Sequence, residues 1–121
     1  LIAYSKFASI ASHTVTHPIL TNCSKKTVEF ELNKSYEVLN EWKLSTNQSF
    51  AYPNGSYNEE TIKILKKSQY KYAFTTEPKF IDLSVKDNNY AIPRICIPNN
   101  LGEYENLARM SMVWSKFLKS K

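Results

Sequence analysis

Ser12-His13-Thr14-Val15-Thr16-His17-Pro18 is the stretch from which the rest of this chain can be read. It holds both of the chain's histidines, at positions i and i+4. Neutral imidazole is the commonest protein ligand for zinc and related divalent ions. If residues 13–17 form one helical turn, i and i+4 share a face roughly 5–6 Å apart, and two imidazoles there can reach one ion. Pro18 stops a longer helix, because the residue before a proline is pushed out of the α region. The stretch therefore predicts a strand ending near Ser12, a single ligand-bearing turn and a forced exit. A His-x-x-x-His pair also arises by chance, so the neighbouring sequence has to support the reading.

Residues 10–12 read as a short buried strand that delivers His13. Residues 24–44 predict a helix with Ser24 as N-cap. Its apolar stripe is Val28, Leu32, Tyr36 (or Ser35), Leu39 and Trp42 or Lys43, while Glu29, Glu31, Lys34, Glu37 and Glu41 fill the other faces. Trp42 at this spacing reads as core rather than as a ligand platform. Residues 45–47 are a break, 49–52 a short strand and Pro53-Asn54-Gly55 a turn. Asn58 caps a second helix, with Glu59 and Glu60 at the positive end of its dipole and Ile62, Leu65 and Ile64 facing inward. Residues 70–75 alternate and are rich in aromatics, as a strand would be. A loop over 76–89, a strand over 91–97 and a last helix over 102–118, striped by Leu107, Met110, Trp114 and Phe117, complete the order. Strands alternating with helices imply parallel strands joined by crossover helices, an α/β fold. Both His13–His17 and the Pro53 turn follow a strand and precede a helix. That is the C-terminal edge of the strands, where such folds build their sites.

Three segments taken together resemble the polysaccharide deacetylase family, also known as NodB-like or carbohydrate esterase family 4. The first is the [S/N]-H-[S/T]-x-x-H-P pattern at residues 12–18. The second is the F-x-x-P-x-G pattern in Ser49-Phe50-Ala51-Tyr52-Pro53-Asn54-Gly55-Ser56-Tyr57, one helix later. The third is Tyr90-Ala91-Ile92-Pro93-Arg94-Ile95, similar to a Y-x-[LI]-P-R-[IV] strand of one branch of the family. The resemblance covers roughly residues 8 to 98. It implies part of a distorted (β/α) barrel of the NodB-homology type, with its early strands missing and residues 1–121 forming one partial domain. It also implies removal of N-acetyl groups from an amino-sugar polysaccharide by a metal-bound water. Poly-N-acetylglucosamine, chitin-like oligomers and peptidoglycan all remain open as the polymer, and an extracytoplasmic location is what such a substrate implies.

By the same resemblance His13 and His17 are metal ligands, for zinc or another divalent ion. Asn54 occupies the position whose backbone N–H helps form an oxyanion hole, and Pro53 and Gly55 fix that turn. Tyr52 and Tyr57 either line a sugar groove or pack in the core and turn. The family's arginine, which holds the catalytic base, is replaced here by Ala51. Arg94 is a candidate substitute, since an arginine can grip a carboxylate bidentately, and a structural ion pair is its other reading. The family's late proton-donating histidine has no match. Nor does its T-F-D-D segment, which supplies a base and a third ligand; the only aspartates here are Asp82 and Asp87. The chain thus reads as the C-terminal part of a deacetylase domain. Open sheet edges would then lead it to pair with another chain or a second copy. The alternative is a catalytically inactive carbohydrate-binding or assembly module on the same scaffold.

The bulk numbers agree with one modest domain: 121 residues, 42% hydrophobic and 22% charged. Two glycines and no phosphate-cradling motif give nucleotide binding no support. The net charge of +5 is mild, and its lysines are spread as on solvated helix faces rather than gathered into a nucleic-acid patch. No apolar run is long enough to span a membrane. Cys23 and Cys96 make no disulfide framework. Cys96 reads as a small buried hydrophobe, and a Cys23–Cys96 bridge would require export and suitable geometry.

Overall fold

A computed structural model describes residues 9–44, 48–82, 88–99 and 102–111. Its helices are α1 (Lys25–Glu41), α2 (Glu59–Lys66) and α3 (Glu103–Met110), and its strands are β1 (Ser49–Ala51) and β2 (Tyr72–Phe74). Single 3-10 turns occupy Leu20–Asn22, Pro53–Gly55 and Asn88–Tyr90. β1 and β2 pair in parallel, with Phe50 opposite Ala73. One parallel bridge joins Ser12 to Phe50 on one side, and another joins Phe74 to Ile92 on the other. Four extended segments therefore run parallel in sequence order. Parallel neighbours need crossover connections, and α1 and α2 supply the first two. The α/β alternation expected from periodicity is present.

The segment over 91–97 is less of a strand than expected. Among the described residues its only bridge is at Ile92. Pro93 and Pro98 have no N–H to donate, so a ladder cannot continue through them. Cys96 lies in this unladdered stretch and is exposed, not buried; Cys23 is half-buried, and both thiols are free.

Ser24 caps α1 as expected, its hydroxyl accepting the Thr27 N–H at 3.3 Å. The buried stripe, however, is Val28, Glu31, Leu32 and Ser35. Trp42 is 52% exposed, because it lies beyond the last helical residue and no longer follows the stripe. Asn58 opens α2 with a reciprocal cap: its Oδ1 accepts the Thr61 N–H, and the Thr61 hydroxyl accepts the Asn58 N–H, each at 2.9 Å. That bonding lets Thr61 be buried beside Ile64 and Leu65. In α3 no residue is buried. Leu107 and Met110 were expected inward, but nothing among the described residues covers them, and they are 52% and 57% exposed. Trp114 and Phe117, like the expected break at 45–47, lie outside the described residues.

The core consists of Leu20, Val28, Leu32, Phe50, Tyr52, Ile64, Leu65, Tyr70 and Ala73. Phe50 meets Tyr52 edge-to-face at 5.4 Å and tilts against Tyr70 at 5.3 Å. The Tyr70 phenol is satisfied at 3.0 Å by Ser35, whose oxygen also accepts the Ser12 hydroxyl at 2.8 Å. This buried polar knot ties the Ser12 segment to α1 and to the residues before β2. Among the described residues no helix is long and apolar enough to cross a membrane.

Candidate metal centre

Ser12 lies against β1 through two backbone bonds: its N–H donates to Ser49 O at 3.0 Å, and its carbonyl accepts from Ala51 N–H at 2.8 Å. That register places His13 at the C-terminal end of β1. Its Nδ1 lies 2.7 Å from the Ala51 carbonyl oxygen. A carbonyl only accepts, so Nδ1 carries the proton and Nε2 keeps its lone pair. The Nε2 of His17 is 3.1 Å from the Nε2 of His13, with ring centroids 4.8 Å apart.

The two imidazoles converge, but not on a helical turn. Residues 13–17 form an irregular loop in which Thr14 and His17 have φ of 68° and 60°. Pro18 disfavours the right-handed helical region at His17, and the chain reverses there in the left-handed region instead. Thr14 supports its own unusual backbone. Its hydroxyl donates to the His13 carbonyl and accepts the His17 N–H at 3.0 Å.

Glu31 supplies the rest of the loop's support. Expected on a solvated face, it is 2% exposed. Its Oε2 accepts the Val15 N–H at 2.7 Å and the Thr16 N–H at 3.0 Å, and its Oε1 accepts the Thr16 hydroxyl. Desolvation pushes this carboxyl up, but the bonds from Thr16 and Val15 outweigh it and hold the pKa below its ordinary 4.5. The sequence does carry a signal for this residue. Glu31 stands at i+3 from Val28 and next to Leu32, on the stripe rather than opposite it.

The second expected segment follows β1 directly. Pro53 is buried, Asn54 is exposed with φ 55°, and Gly55 has φ 70°. A Cβ on Gly55 would stand 2.1 Å from Thr76 Oγ1 and 2.7 Å from the Thr76 nitrogen, so both the backbone and the space require glycine. The turn closes through Gly55 N–H to Tyr52 O and Ser56 N–H to Pro53 O, which leaves the Asn54 N–H outside its bonds. Tyr52 is a core residue, fully buried, with its hydroxyl donating to Tyr90 O at 2.8 Å. Of its two readings, the structure shows the packing one: Tyr52 sits in the core cluster. Tyr57 is half-buried, stacks on Tyr52 at 5.3 Å and donates to Glu77 at 2.9 Å.

Arg94 donates through Nε to Thr75 O at 2.8 Å and lies over the Phe74 ring. Among the described residues it pairs with no carboxylate. The described residues bring no third histidine, cysteine or carboxylate to His13 and His17. Asp87 lies outside them. Two nitrogens about 2.1 Å from one ion, at angles between square and tetrahedral, are roughly 3.0–3.4 Å apart. The observed 3.1 Å fits two imidazoles facing one ion.

The family model described as polysaccharide deacetylase matches residues 2–73. Over 85 residues the chain is 33% identical to the poly-β-1,6-N-acetyl-D-glucosamine N-deacetylase of Staphylococcus aureus strain MSSA476. That match takes in 70% of this chain and 29% of the relative. The enzyme of the same name from Staphylococcus epidermidis is 32% identical over 80 residues, which is 66% of this chain and 27% of that protein. This chain therefore spans under a third of the length of these relatives. Among solved structures, a polysaccharide deacetylase from Bacillus cereus superposes with a TM-score of 0.76 at 26% identity, covering 90% of this chain and 34% of that one. A Streptococcus pyogenes deacetylase in complex with acetate gives 0.69 at 30% identity, over 82% and 42%. The parallel segments and their crossover helices are accordingly part of a NodB-type fold, as expected of a partial distorted barrel.

Proposed function

This chain belongs to the polysaccharide deacetylase family, and from that membership we propose that His13 and His17 form the two-nitrogen half of a divalent-metal site for N-deacetylation of an amino-sugar polysaccharide. The observation that carries the reading is the pair of Nε2 atoms 3.1 Å apart, with the Nδ1 of His13 engaged by Ala51 O. Of the polymers left open by the sequence, poly-N-acetylglucosamine is favoured, because the Staphylococcus relatives are named for it. An extracytoplasmic location belongs to the same proposal.

A divalent ion held there would supply a Lewis acid for the acetamide carbonyl and a water of lowered pKa. The chain's own residues do the rest of what is proposed. Ala51 O fixes one tautomer of His13 and aims its lone pair at the position shared with His17. The Asn54 N–H donates to the oxyanion that develops as the amide carbon becomes tetrahedral. Pro53 and Gly55 hold that N–H in place. Tyr57 offers a ring edge to the sugar, and Arg94, held by Thr75 O, stands to orient a carboxylate supplied from outside the described residues.

Acetate release from poly-N-acetylglucosamine oligomers by the zinc-loaded chain, lost in His13→Ala, tests the proposal. A second reading, the catalytically inactive carbohydrate-binding or assembly module, is favoured by one observation: only two metal-ligating side chains come together among the described residues. Retained oligomer binding with no acetate release at any zinc concentration would select it.

A further inference from the structure

Between the two histidines the chain makes no helix and no strand, yet their Nε2 atoms stand at ligand spacing. The shape of that loop is unfavourable by itself, since a β-branched residue, Thr14, occupies the left-handed region. The hydroxyl bonds of Thr14 stay within the loop, on the His13 carbonyl and the His17 N–H. Among the described residues, the hydrogen bonds that tie Val15 and Thr16 to the scaffold come from a single side chain. Glu31 projects from α1 between Val28 and Leu32, whose burial anchors that helix to the core. An ionised carboxylate offers acceptor sites only, and here three donors from two successive residues converge on it. The Val15 and Thr16 N–H groups are consumed by Glu31 instead of by carbonyls one turn back, so the segment is held away from the helical conformation as well.

We propose that Glu31 is the positioning residue of the site: its carboxylate sets the loop so that the imidazoles of His13 and His17 converge before any ion arrives. The inference rests on the reading of those histidines as ligands, and it assigns their preorganisation to a residue that touches neither. A site whose supporting shell is rigid loses less freedom on binding an ion.

The test uses the whole chain, with Glu31→Gln, Thr16→Val and, as a core control remote in sequence from the loop, Ile64→Ala. Two quantities are read. One is zinc affinity by calorimetry with zinc chloride alone. The other, without metal, is the amide exchange of Val15 and Thr16 together with the His13–His17 ring proximity by NMR. Glu31→Gln turns an acceptor toward donor against donor; it should weaken zinc about tenfold, in the range of supporting-residue losses at metal sites. It should also speed both amides and separate the rings. Thr16→Val, which removes one bond, should weaken zinc about threefold. Ile64→Ala should leave the affinity of the folded protein within about twofold. Unchanged affinity and ring proximity in both loop variants would overturn the proposal, as would an Ile64→Ala effect equal to that of Glu31→Gln. If Glu31→Gln fails to fold, Thr16→Val and its amide exchange decide. If the unmodified chain binds no zinc, the ligand reading fails, while exchange and ring proximity still decide whether Glu31 positions the loop.

Discussion

Gly55 shows how narrowly single residues are specified at the rim. Alanine there would need φ near 70° and would drive its Cβ onto the Thr76 backbone nitrogen. We expect Gly55→Ala to lower stability by about 1–3 kcal/mol, measured by urea unfolding, because strained left-handed positions cost that much. Glu31 makes a second prediction, in pH. Its folded pKa lies below its ordinary value. The stability it adds is therefore fully present above the unfolded pKa and is lost as pH falls through the folded one. Thermal melts from neutral pH down through the acid range should show that loss, and Glu31→Gln should flatten it. The histidine pair and the Pro53 turn are legible in the sequence because each rests on local residue chemistry, whereas the space that Thr76 denies at Gly55 comes from a tertiary contact. The role of Glu31 is not legible from residue type, since a glutamate on a helix is normally solvated. Its place on the apolar stripe is the only sequence sign of burial.

At the scale of elements, the alternation of strands and helices is readable because caps and stripes are local. Ser24 and Asn58 both cap where their side chains say they should. Asn58→Ala should cost about 0.5–2 kcal/mol by the same unfolding measurement, since it removes the Oδ1 that accepts the Thr61 N–H. Three expectations missed. The loop at 13–17 reaches ligand spacing through left-handed residues, because Pro18 and Glu31 remove the helical option. The segment at 91–97 pairs only at Ile92, because prolines interrupt it. The apolar face of α3 stays exposed, because periodicity reports an apolar stripe and not what covers it.

For the molecule as a whole, the sheet among the described residues is short. Ser12 has Phe50 on one flank and no strand on the other among the described residues. Beside it lies a cleft of about 320 Å³ lined in part by Val15, Val38, Leu39 and Trp42. We propose that this face pairs with a second copy of the chain, as an edge and apolar surface left open among the described residues favour. Sedimentation velocity should then show species heavier than 14.0 kDa, and a monodisperse monomer with a two-state melt would count against pairing. The central claim, that two imidazoles of this chain are set to hold one ion, is tested most directly by zinc calorimetry on the chain and on His13→Ala and His17→Ala. The account predicts one site per chain, abolished by either substitution, and weak unless a third protein ligand joins the pair. Zinc binding that is absent, or that survives both substitutions unchanged, would contradict it.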